Sequence, residues 1–222
     1  MKFRGRKNLK RKPASRIAVQ YFHIFSEGEK TERAYFKALA STLDGSKVRI
    51  NYNGPMGVPK TVATKAIAFA KDNGLTKGRR KKKPDSYEEL DQVWAVFDRD
   101  EFPCYYEAKQ MCEGASIPFA YSDPCFELWI NLHFDTHDAP CDRHQAQATT
   151  KKLVDGYDPK AGKTGDFFAI IGELPNAEER AESQRKSRVA EDKTDGNPST
   201  NMYELTRALQ EASKPKGNKK DG

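Results

Sequence analysis

Two short stretches hold the residue types that could do chemistry: Ser26-Glu27-Gly28 and Asp98-Arg99-Asp100. Each places carboxylates directly after a run of apolar residues. In Asp-x-Asp the period of two turns Asp98 and Asp100 to the same side of an extended segment. Clustered acids repel and raise one another's pKa unless a cation sits among them. Oxygen donors without Cys or His suit a hard divalent ion, Mg²⁺ or Mn²⁺. Taken singly, each stretch also reads as an ordinary solvated turn.

The elements that must position these acids follow from the apolar pattern. Residues 17–25 are β-branched and aromatic, as a buried strand requires. Gly28 lets the backbone turn tightly beside Glu27. Thr31 reads as the N-cap of a helix over 31–43. Residues 47–53 alternate as a second strand, Gly54-Pro55-Met56-Gly57 is a loop, and 59–73 reads as a helix with Pro near its start and Gly74 as its stop. Residues 92–97 are a near-continuous apolar run, the pattern of a central buried strand. A helix over 105–113 and a fourth strand over 116–121 follow. This rhythm predicts an α/β fold, an open parallel sheet with helices on both faces. All carboxyl ends of such strands lie on one rim, so Glu27, Asp98 and Asp100 converge there, where open α/β sheets bind ligands. An apolar helical pattern over 126–134 is next, then a polar loop to 145. Helices near 145–154 and 176–190, a mixed segment at 167–171 and a last helix over 201–212 complete the reading.

The chain has 222 residues and a net charge of +7, unevenly spread. Residues 1–16 carry eight Lys or Arg and no acid, residues 77–83 carry six more, and the last ten residues add +3, so the remainder is acidic. Such runs suit a polyanion such as nucleic acid, or serve as soluble tails. No apolar run is long enough to span a membrane. The basic N-terminus lacks the apolar segment of a signal peptide, and four Cys at 104, 112, 125 and 141 show no pairing pattern. Both points suggest the cytoplasm. Four regions are expected. Residues 1–14 are a basic disordered tail. Residues 15–134 form the core with a basic insert at 75–90. Residues 135–212 are a mainly helical extension packed on that core. Residues 213–222 are a second disordered tail.

Four pieces together carry a resemblance: Ser26-Glu27-Gly28-Glu29-Lys30-Thr31-Glu32; Asp98-Arg99-Asp100; Ser122-Asp123-Pro124-Cys125-Phe126-Glu127-Leu128-Trp129 with His133-Phe134; and Asn197-Pro198-Ser199-Thr200-Asn201. Glu-Gly after strand one with Asp-x-Asp after strand three resembles the Toprim fold of topoisomerases, primases and nucleases of the overcoming-lysogenization-defect class. The full set is closer to the RloB-like proteins of bacterial restriction and phage-defence loci. The resemblance implies a Toprim-like, Mg²⁺- or Mn²⁺-dependent nuclease acting on RNA or DNA, commonly encoded beside an ATPase subunit. Glu27, Asp98 and Asp100 would be ligands, Glu27 alternatively a general base, and Lys30 would neutralise a phosphate or stay solvated. A non-catalytic nucleic-acid-binding or adaptor subunit with a vestigial acidic rim is the alternative. In the related nucleases the second acid lies four residues after the Glu of Glu-Gly. Here that position is Thr31 and the acid is Glu32, which is either a ligand on a longer turn or a helix-start acid favoured by the dipole. Glu127 is either a fourth rim carboxylate or an exposed helix acid.

His133, His137, Cys141 and His144 have spacings open to zinc, though irregular for it. Trp129, Leu132 and Phe134 read as core. Gly54-Pro55-Met56-Gly57 lacks the Lys-Ser/Thr of a P-loop, and no Gly-x-Ser-x-Gly motif points to acyl transfer.

Overall fold

The computed structural model describes residues 19–76, 91–99, 104–193 and 196–214. The basic runs at 1–16 and 77–83 and the residue Asp100 lie outside them. The chain runs β1 (Gln20–Ser26), α1 (Thr31–Thr42), β2 (Val48–Asn53), α2 (Pro59–Asp72), β3 (Gln92–Asp98), α3 (Tyr105–Ala115), β4 (Phe119–Asp123), α4 (Phe126–Asn131), α5 (Arg143–Leu153), a 3₁₀ turn at Ile171–Glu173, α6 (Leu174–Ala190), β5 (Ser199–Thr200) and α7 (Met202–Ser213). The five strands form one sheet in the order β2-β1-β3-β4-β5. β1 to β4 are parallel and β5 is antiparallel to β4. The expected α/β fold is therefore present, a mostly parallel sheet between helices with a C-terminal helix, in keeping with a Toprim-like core.

Alternation along β3 divides the core in two. Val93, Ala95 and Phe97 pack with the small apolar face of α2 (Val62, Ala63, Ala66, Ala70) and with Tyr105 and Ala108 of α3. Trp94 and Val96 face the other way, toward Tyr35, Phe36 and Leu39 of α1 and Phe126, Leu128 and Trp129 of α4. Residues beyond Phe134 share this second core through Leu174 and Ala177 of α6 and Leu205 and Leu209 of α7. Trp129 and Leu132 are fully buried and Phe134 is half-buried against them.

The order β2-β1-β3 places the topological switch point between β1 and β3. From β1 the chain turns to β2 through α1 on one face, while from β3 it turns to β4 through α3 on the other. The two departing helices leave a crevice at the carboxyl ends of β1 and β3, the place where open α/β sheets bind ligands.

Several boundaries differ from the sequence reading. The fourth strand runs Phe119–Asp123 rather than 116–121, because Ser116 adopts the left-handed conformation (φ 55°) that closes α3. The helix after it stops at Asn131. Ser199 and Thr200, just before the last helix, form β5, and Thr200 Oγ1 and Ser122 Oγ lie 3.0 Å apart. The N-cap position of α1 is Lys30, and Thr31 is its first helical residue.

Candidate active site

Glu27 follows β1 and Asp98 ends β3. β1 and β3 are direct neighbours, with Ser26 opposite Val96. The backbone N–H of Asp98 donates to Glu27 Oε1 across 3.0 Å, which ties the two strand ends together. The Glu27 backbone is held from the other side by the loop after β2. The N–H of Met56 donates to Ser26 O (3.0 Å), that of Gly57 to Glu27 O (3.4 Å), and Tyr52 Oη to Gly28 O (2.5 Å). Gly57 has φ +82°, a conformation that glycine adopts without strain, and a Cβ on Gly54 would stand 2.8 Å from Gly28 O.

Glu27 and Asp98 open into a cleft of about 310 Å³, which is also lined by Glu32, Glu127, Lys30, Arg143 and Lys163. Four of the expected acids are thus brought to one cleft, with Lys30 on its wall. Glu32 and Glu127 are buried, 8% and 3% exposed, so neither is a solvated helix acid. Burial holds the Glu32 carboxyl above the usual carboxylate range, and the charge of Glu127 adds to this. The N–H groups of Glu32 itself and Gly28, with Lys163, oppose it. The Glu32 carboxylate lies over Gly28, where a Cβ would overlap it. A side chain at position 28 would have to displace that carboxylate, and the φ of Gly28 is not in the left-handed region. Glu127 Oε1 accepts from Tyr157 Oη at 2.5 Å and lies 3.9 Å from Lys163 Nζ. The Cys125 thiol is pushed well up by burial and then by the charges of Glu127 and Asp98, the opposite of an activated nucleophile.

Three contributors were not legible as site residues: Arg143 at the start of α5, and Tyr157 and Lys163 in the loop between α5 and the 3₁₀ turn. A signal for the last is the turn-rich run Asp158-Pro159-Lys160-Ala161-Gly162-Lys163, which combines cations with Pro and Gly. The hydroxyl expected to cap α1 belongs to this loop's contacts instead: Thr31 Oγ1 donates to Lys163 O across 3.1 Å.

The flanking motifs form a brace behind Asp98. Arg99 Nη1 donates to Asp123 Oδ2 (3.0 Å), and Asn197 Nδ2 donates to Asp123 Oδ1 (2.7 Å) and Cys141 O (2.9 Å). The Arg99 guanidinium also lies against the rings of Tyr105 and Tyr106.

The donor set suits a hard divalent ion in kind, since every candidate ligand is a carboxylate. Among the described residues no three His, Cys, Asp or Glu side chains are grouped so as to hold a metal ion. Glu27 and Asp98 remain as an adjacent pair. A pair fits Mg²⁺, which commonly keeps several waters and takes one or two carboxylates. Zinc does not fit. His133 is 1% exposed, and both of its ring nitrogens are engaged, Nδ1 with Trp129 O (3.0 Å) and Nε2 with Tyr35 Oη (3.2 Å).

No helix among the described residues is long and apolar enough to cross a membrane. No curated protein and no solved structure matches the chain. The family model described as RloB-like protein matches residues 22–209, most of the sequence. With the strand-end acids, the Asp123 and Asn197 motifs and nearly all of the sheet inside that span, the chain belongs to the RloB-like protein family.

Proposed function

We propose that this protein is a Mg²⁺- or Mn²⁺-dependent nuclease that hydrolyses phosphodiester bonds of RNA or DNA in bacterial defence against phage, with an ATPase subunit as a partner. The observation that supports this reading is the pairing of Glu27 with Asp98 at the switch point of a mostly parallel sheet, in a cleft also lined by Lys30, Arg143 and Lys163. Glu27 and Asp98, with Asp100, would hold the ion. When bound, such an ion polarises a phosphoryl oxygen and lowers the pKa of a water. Glu27 would alternatively orient or deprotonate the attacking water as a general base. Lys30, at the N-cap of α1 and on the cleft wall, offers its ammonium to phosphate oxygens.

The test is cleavage of tRNA, single-stranded RNA and plasmid DNA with each metal. Asp98→Asn and Glu27→Gln should each lower metal-dependent cleavage by at least about 100-fold, the scale of losing a ligand or its support. The side-chain amide introduced by Glu27→Gln keeps an oxygen to accept from the Asp98 N–H, so the circular dichroism spectrum should be unchanged. Retained cleavage in both variants would refute the assignment. The second reading, a non-catalytic nucleic-acid-binding or adaptor subunit, draws on the absence, among the described residues, of three acids grouped for one ion. It predicts no heat of Mn²⁺ binding at millimolar metal and no cleavage of any of the three substrates.

A further inference from the structure

The metal-dependent reading leaves two buried acids, Glu32 and Glu127, unassigned. They sit on different helices, α1 and α4, yet line the same cleft as Glu27 and Asp98. Adjacent buried carboxylates call for a shared proton or a neighbouring cation. In two-metal sites a second divalent ion, about 3.5–4 Å from the first, meets that need. In this chain a lysine stands beside one of the two acids. Lys163 Nζ is 3.9 Å from Glu127 Oε1.

The lysine's side chain is 36% exposed, but its backbone is held in place. Its backbone has φ 53°, a left-handed conformation uncommon outside glycine and asparagine, which persists where the surroundings over-determine it. Those surroundings are specific. Lys163 O accepts from Thr31 Oγ1 on α1 (3.1 Å), and Lys163 N donates to Asp158 O (2.8 Å). In the same loop, Tyr157 Oη donates to Glu127 itself (2.5 Å). The loop is thus pinned to both helices that carry the buried acids. Gly162, just before it, has φ +110°, and a Cβ there would stand 3.3 Å from Lys30 Nζ.

We propose that Lys163 takes the place of a second divalent ion: its ammonium balances the Glu32–Glu127 pair, so that the site accepts a single ion, at Glu27 and Asp98. This rests on the metal-dependent reading above. Lys163 is a positioning residue here, acting through the two carboxylates. A fixed ammonium is monovalent and does not exchange with solvent cations, so activity would depend on one bound ion.

The test is calorimetric titration of the full chain with Mn²⁺ alone, together with electron paramagnetic resonance at saturating metal. The parent should bind one ion per chain and give the six-line spectrum of an isolated Mn²⁺. Lys163→Met keeps the length of the side chain without its charge. It should bind a second ion, and that gain should disappear in Lys163→Met/Glu127→Gln. Lys163→Arg should bind one. The spectrum of the parent tests the idea even if a variant fails to fold, since a spin-coupled pair of ions in the parent would overturn it. Two ions in the parent, or unchanged stoichiometry in a folded Lys163→Met, overturns this inference alone. A parent that binds no ion overturns the metal-dependent reading with it.

Discussion

The carboxylate of Glu32 occupies the space into which a side chain at position 28 would project, so Gly28 and Glu32 fill one volume between them. Glu32 is buried there, and its own N–H and that of Gly28 favour the charged form of its carboxylate. Glu-Gly at the end of β1 is therefore a packing arrangement as much as a turn.

Gly28→Ala should displace the Glu32 carboxylate rather than open the β1–α1 turn. The expected cost is about 2 kcal/mol, in the range for disturbing a buried polar group. In a Glu32→Ala background the same substitution has room and should cost no more than about 0.5 kcal/mol, the usual tolerance for independent sites. Urea unfolding of the four proteins of this cycle provides the check. Additive costs would mean that the turn, and not Glu32, requires the glycine.

His133 ties stability to pH. Its Nδ1 faces the carbonyl of Trp129, which can only accept, so Nδ1 carries the proton and Nε2 accepts from Tyr35 Oη in the neutral ring. Burial, with a smaller push from Arg180, lowers its pKa to about 4 against the opposing backbone of Trp129 and Ile130 and the charge of Glu173. The unfolded chain, with a pKa near 6.5, binds the proton first as pH falls. The contribution is thus complete above about pH 6.5 and is lost progressively toward pH 4, some 3 kcal/mol in all. His133→Gln, which does not titrate, should flatten the dependence of unfolding free energy on pH by about one proton across this window. An unchanged slope would place the acid sensitivity elsewhere.

What the sequence made legible, and what it did not, follows from where the determining contacts lie. β3 announces itself because Val93 to Phe97 are buried on both faces, which leaves an apolar run with no alternation. Glu27 and Asp98 could be placed on one rim because parallel strands share a direction. The two residues of β5 are polar, and their burial depends on hydroxyl contacts such as Thr200 with Ser122 and with Tyr121 O, which leave no apolar pattern. Thr31 looks like a cap because caps are local, but its partner, Lys163 O, comes from 132 residues away. Lys163 and Tyr157 reach the site by such long-range contacts, and no periodicity reports them. His133 was misleading in the opposite sense, since a polar residue in the core resembles a ligand until its partners are seen.

The basic runs give the last prediction. Residues 1–16 and 77–83 lie outside the described residues and precede β1 and β3 in the sequence. The cleft is at the carboxyl ends of these strands, roughly 23 Å from their amino ends over seven residues of strand. Cations confined to the amino-terminal edge would not reach a phosphate in the cleft. A long polyanion crossing the molecule would meet both, and an extended segment of about 14 residues reaches some 45 Å. Contacts of this kind go to phosphates, so they add affinity without sequence preference and weaken steeply with salt. A variant that lacks residues 1–14 and carries serine in place of Arg79, Arg80, Lys81, Lys82 and Lys83 should bind nucleic acid more weakly. It should also show a shallower fall of log affinity with log salt. Each phosphate contact removed reduces that slope by about 0.7 on single strands and about 0.9 on duplex DNA, so losing four contacts would flatten it by about 3. Filter binding from low to high salt reads both quantities. If affinity and slope equal those of the parent, the cationic runs are solubilising tails and the substrate is held by the cleft alone.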